Sequence, residues 1–128
     1  MAVFTLVTDI EKVIRKLQAE YGDFTLAMLY NRTLEAGFDW NLIVAAPWLD
    51  RMSLATGTRL IANTLNQTLG LENQPSVSRV TVLKTSEPFV RDMTNLYPVE
   101  FGSRLPIPQL AAGETLGSGL ILFSQKAA

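Results

Sequence analysis

Apolar positions along this chain fall into two periods, and the first is helical. Ile10, Val13, Ile14, Leu17 and Tyr21 recur at i, i+3, i+4, i+7 and i+11, which gathers them into one stripe on a helix. Thr8 and Glu11 have the Thr-x-x-Glu spacing of a capping box at its start, and Gly22 is a natural stop. Glu11, Lys12, Arg15, Lys16 and Glu20 lie off the stripe and are expected to form a solvated outer face. Val3 to Val7, upstream, reads as a short strand or a lead-in packed on the core. Phe24 to Tyr30 is apolar at both alternating sets of positions, the pattern of a strand well inside a sheet.

The stretch Trp40 to Leu49 organises the rest. Leu42 to Ala46 is a continuous apolar run with β-branched residues, which suits a central strand covered on both faces, and Pro47 should end it. The linker Asn31 to Phe38 is too short for a parallel return, so the two strands are expected to pair as an antiparallel hairpin. Asp50 to Gly70 then reads as a second helix with Leu54, Ile61, Leu65 and Leu69 on one side. Gly57 weakens its first turns, so the regular helix is expected nearer Thr58. Strand signals return at Val77 to Leu83, which completes a strand-helix-strand unit with a parallel, right-handed crossover. Thr85 or Ser86 is placed to cap a third helix with Pro88 in its first turn and Phe89, Met93 and Leu96 at core spacing. From Pro98 to Gly119 proline and glycine are frequent and periodicity is weak, which predicts an ordered loop or arm with one short edge strand. Leu120 to Phe123 closes the sheet. The prediction is a single α/β domain over residues 1–128, with α+β as the alternative. It comprises a mixed sheet of four to five strands and about three helices, in the order α-β-β-α-β-α-β.

Composition narrows the chemistry. A chain of 128 residues with 48% hydrophobic and 18% charged residues has the make-up of one folded domain. The formal net charge of −1 gives no general footprint for nucleic acid, which is therefore not expected as a partner. Cysteine and histidine are both absent, which removes disulfides, thiol nucleophiles, Cys or His metal sites and histidine bases. Catalysis would have to rest on Asp, Glu, Lys, Tyr, Ser or a metal held by carboxylates. No catalytic, metal or cofactor set is identified. The longest uncharged run, Leu60 to Leu71, has 12 residues against the roughly 20 that a spanning helix needs, so no membrane association is expected. The amino terminus lacks a basic segment and meets Asp9 early, so a cytoplasmic location is the expectation.

Reach eliminates most acid pairs. Asp39 and Asp50 would stand about 35 Å apart along an extended strand at about 3.3 Å per residue. Asp9 with Glu11 and Glu87 with Asp92 are off the i, i+3 or i, i+4 register of a helix face. The Gly113 to Gly119 segment lacks the Lys-Ser/Thr ending of a phosphate loop. The order of a capped helix followed by two strands resembles small nucleotidyltransferase-like domains. Their Gly-Ser entrance and Asp-x-Asp metal ligands are missing, however: Tyr30-Asn31-Arg32 and Trp40-Asn41-Leu42 stand where acids would be required, and the family is not assigned.

Two functional expectations remain. The first is a non-catalytic binding or assembly module that acts as a homodimer or larger homo-oligomer. Its contact would be the charge-poor face of the second helix, Asn63, Thr64, Asn66 and Gln67, with Trp40 and Trp48 as aromatic anchors. The alternative is a small enzyme or ligand-binding protein that uses the crevice beyond the carboxyl ends of the parallel strands. Trp48, Asp50 and Arg51 would come from one side and Lys84, Thr85 and Ser86 from the other, to accept a small anion or carboxylate at two helix starts.

Overall fold

The computed structural model describes residues 3–31, 40–68, 77–112 and 115–125. Its elements are α1 (Val3–Tyr21), β1 (Leu26–Asn31), β2 (Trp40–Ala45), α2 (Pro47–Asp50), α3 (Leu54–Thr68), β3 (Val77–Val82), α4 (Pro88–Leu96), β4 (Leu105–Ala112) and β5 (Thr115–Ser124). The five strands form one mixed sheet in the order β3-β2-β1-β5-β4. β1 pairs antiparallel with β2 and β5, β4 pairs antiparallel with β5, and β3 runs parallel to β2. The hairpin and the parallel crossover thus appear as the sequence predicts, within an α/β fold that has five strands and four helices among the described residues.

Alternation along the strands builds two cores. Ala27, Leu29, Leu42, Val44 and Leu122 point to one face, where α1 and α3 cover them with Ile10, Ile14, Leu17, Ile61 and Leu65. Leu26, Met28, Tyr30, Ile43, Ala45 and Ile121 point to the other face, beneath Val90 and Met93 of α4. A fully buried Leu or Ile contributes about 1.5–3 kcal/mol, so this layering is the main support of the fold. Every residue of β1 is buried, which makes β1 the central strand and places β2 one position toward the edge.

Several boundaries differ from expectation, each for a local reason. α1 begins at Val3, because Val7, 2% exposed, extends the Ile10 and Ile14 stripe backward, so Thr8 and Glu11 lie inside the helix and make no capping box. Glu11 is 8% exposed and not solvated. Its carboxylate accepts from Arg104 Nη2 at 2.7 Å and Nε at 3.1 Å, a two-point grip that ties the segment after α4 to α1. The hydrogen bond to Glu11 raises the Arg104 pKa above its ordinary value. Gly22 does end α1, at φ +126°, with its N–H on Gln18 O.

The second helix is divided in two. Pro47 opens α2, a turn follows at 51–53, and α3 starts at Leu54. There Ser53 Oγ accepts the Thr56 N–H at 3.2 Å. Leu54 is 66% exposed and is not a core residue. Gly57 lies inside α3: a Cβ there would come within 3.1 Å of Leu49 Cδ2, so glycine allows a close approach between the two helices. Leu69 and Gly70 lie outside the described residues, as do Asp39 and most of the hairpin linker.

In α4 the buried residues are Val90, Met93 and Thr94, whereas Leu96 is 67% exposed. Neither Thr85 nor Ser86 caps it: Glu87 occupies the N-cap without a side-chain bond. The expected arm after Pro98 is largely sheet. β4 and β5 pair antiparallel, and Pro106 and Pro108 are accommodated because β4 is an edge strand.

Candidate functional site

The crevice expected beyond the parallel strands is present as a cavity of about 270 Å³. Leu49, Met52, Leu54, Val82 and Leu83 supply apolar walls, and Asp50, Lys84 and Glu87 supply its charged groups. The six residues predicted from sequence divide sharply. Asp50, Lys84 and Thr85 come together: Asp50 Oδ1 accepts the Thr85 N–H at 3.1 Å, Oδ2 accepts Thr85 Oγ1–H at 2.5 Å, and Lys84 Nζ donates to Asp50 O at 2.9 Å. This clasp joins the end of α2 to the loop after β3. Arg51 and Ser86 are exposed and do not line the cavity.

Trp48 serves the fold from the opposite side. Its indole N–H donates to Gly22 O at 2.9 Å, its ring stacks on Tyr21 with centroids 4.9 Å apart, and Phe24 meets it edge-on at 5.3 Å. At 9% exposure it is a clamp between α2 and the end of α1. Two backbone amides beside this crevice are already engaged. Thr85 N–H is on Asp50, Glu87 N–H is on Lys84 O, and Pro88, the first residue of α4, has none.

The face of α3 is narrower than the sequence suggests. Thr64 is 7% exposed and its hydroxyl donates to Leu60 O at 2.9 Å, so it belongs to the interior. Asn63, Asn66 and Gln67 are exposed. Arg59 is the one charged residue among the 15 of α3.

A larger depression, about 630 Å³, was not legible in the sequence. It is bounded by Pro98, Val99, Glu100, Ser103, Leu105 and the end of β5. It arises because Val99 and Ser124 form a β-bridge while Phe101 turns to stack on Phe123 at 4.7 Å, with the Arg15 guanidinium 5.1 Å from the Phe101 ring centre. Proline and glycine frequency in this segment masked the contacts that order it. Among the described residues no group of three or more acidic side chains is placed to hold a metal ion, and no helix is long and apolar enough to cross a membrane.

Fold and site together define a mixed α/β fold with helices on both sheet faces and two crevices lined by apolar and polar side chains. Comparison with protein-family models, curated proteins and solved structures found no match to this chain.

Proposed function

We propose that this protein is a non-catalytic assembly module whose partner is a second copy of itself. The observation that carries the reading is the outward face of α3, where Asn63, Asn66 and Gln67 are exposed and charge is confined to Arg59. A side-chain amide both donates and accepts, so a face built from amides is complementary to its own copy across a two-fold axis. A face of lysines or glutamates would repel its copy. Depletion of charge is also the compositional mark of interface cores. The test is the double variant Asn63→Glu, Gln67→Glu, followed by light scattering behind a sizing column. The reading expects wild type to elute above monomer mass and the variant, folded by circular dichroism, to fall to monomer. A wild-type mass equal to one chain at every soluble concentration overturns it.

The crevice supports a second reading, a binding protein or small enzyme for a carboxylate-bearing molecule. Lys84 has further N–H donors beyond the one on Asp50 O, and it stands over the apolar wall of Leu49, Met52 and Leu54. Calorimetric titration with acetate, butyrate and phosphate tests it. Binding that strengthens with alkyl length and disappears in Lys84→Ala supports it, and no heat with any of the three refutes it.

A further inference from the structure

Among the described residues, one buried side-chain polar atom has no hydrogen-bond partner, the hydroxyl oxygen of Ser124 at the end of β5. Ser124 is 3% exposed. A polar group buried in this way has lost its bonds to water and gained none in return, which is why native folds seldom contain one. The backbone of Ser124 is satisfied, since its N–H donates to Val99 O and its carbonyl accepts the Val99 N–H, both at 2.9 Å. The residues paired on either side of it, Leu26 of β1 and Val99 across the bridge, have apolar side chains that cannot serve a hydroxyl. Ser124 also lines the depression of about 630 Å³, and this is the side from which a partner can reach it.

The rest of the lining determines what kind of partner that is. Glu100 carries the one charge among the lining residues and enters no ion pair among the described residues. The cation nearest to it in sequence, Arg104, is committed to Glu11 at 2.7 and 3.1 Å. Gln125 donates from Nε2 to Phe24 O at 3.0 Å, which fixes the amide and leaves Oε1 as an acceptor. A carboxylate, an amide oxygen and a hydroxyl thus share one cavity, and no cationic side chain lines it. Leu105 and Phe123 add apolar surface.

We propose that this depression binds a small organic primary ammonium ion. Its three N–H donors match the acceptors of Glu100, Gln125 and Ser124, and its hydrocarbon part lies against Leu105 and Phe123. The volume is that of a small-molecule site, typically about 300–1,000 Å³. An organic anion would meet the Glu100 carboxylate and be repelled, so the selectivity is opposite to that of the crevice at Lys84. The outer wall is held in place before any ligand arrives: Arg104, at φ +39°, grips Glu11, and Phe101 stacks on Phe123 at 4.7 Å. A wall already ordered costs a ligand less to engage.

Titration of the full chain with n-butylammonium, 1-butanol and butyrate, read by residue-resolved amide chemical shifts, tests the site. The amine should give saturable shifts centred on Val99, Phe123, Ser124 and Gln125, and butyrate should give none there. Glu100→Gln, at an exposed position, should weaken amine binding roughly tenfold, the size of one charge-assisted hydrogen bond. Ser124→Ala should weaken it roughly threefold and yet melt no lower than wild type, because the hydroxyl that it deletes bonds to nothing within the chain. A lower melting temperature for Ser124→Ala would make the hydroxyl structural and overturn the proposal. So would the lack of a saturable amine shift at these residues, an affinity that either variant leaves unchanged, or butyrate binding there as well as the amine does. The shifts read the same site in one chain or in two, so the outcome is independent of self-association.

Discussion

Replacing Trp48 separates a structural clamp from a ligand-binding residue. Trp48→Phe retains a ring against Tyr21 and Phe24 but deletes the 2.9 Å hydrogen bond to Gly22 O. A net hydrogen bond is worth about 0.5–1.5 kcal/mol, and the smaller ring leaves part of the indole volume empty, for a total of about 1–3 kcal/mol. Trp48→Ala also removes both ring contacts, and aromatic truncations of this kind cost about 3–5 kcal/mol against a typical total stability of 5–15 kcal/mol. Urea unfolding followed by far-ultraviolet circular dichroism reads both, since the signal does not depend on the residue removed. Lys84→Ala is the comparison, because its side chain is exposed and it should stay within about 0.5 kcal/mol of wild type. A Trp48→Phe protein as stable as wild type, or more stable, would refute the clamp, since residues retained for binding are those whose replacement leaves stability unharmed.

Three further outcomes follow from particular contacts. Asp50→Ala should lower stability by about 1–2 kcal/mol in chemical denaturation, since the carboxylate accepts both the N–H and the hydroxyl of Thr85, and Thr85→Val should show roughly half of that loss, the hydroxyl part. Gly57→Ala gains about 1 kcal/mol of helix propensity but places a methyl 3.1 Å from the buried Leu49 Cδ2, so thermal denaturation should show a small net loss, and Gly57→Val a large one. Arg104→Gly suits the φ of +39° at that position while removing the grip on Glu11. Limited proteolysis should therefore cut between Glu100 and Arg104 faster than in wild type, and equal rates would show that the ion pair does not hold the segment.

Long-period patterns were legible in the sequence, and short-range substitutions of partner were not. The α1 stripe, the β1–β2 hairpin and the parallel β2–β3 crossover follow from periodicity and linker length alone. The solvated reading of Glu11 failed because its partner, Arg104, lies on the far side of the chain in sequence. Leu54 and Leu96 matched core spacing yet are exposed, because each falls at a helix end. The hairpin of β4 and β5 was hidden by prolines that an edge strand tolerates. At the crevice the sequence brought Asp50, Lys84 and Thr85 together through the ends of neighbouring elements. It could not reveal that they would satisfy one another, nor that Trp48 would turn toward Gly22.

Sedimentation velocity of the unmodified chain over a wide dilution series tests self-association most directly. The account predicts a species of twice the 14.1 kDa chain mass that dissociates on dilution. A single boundary at one chain mass, unchanged up to the highest soluble concentration, contradicts it.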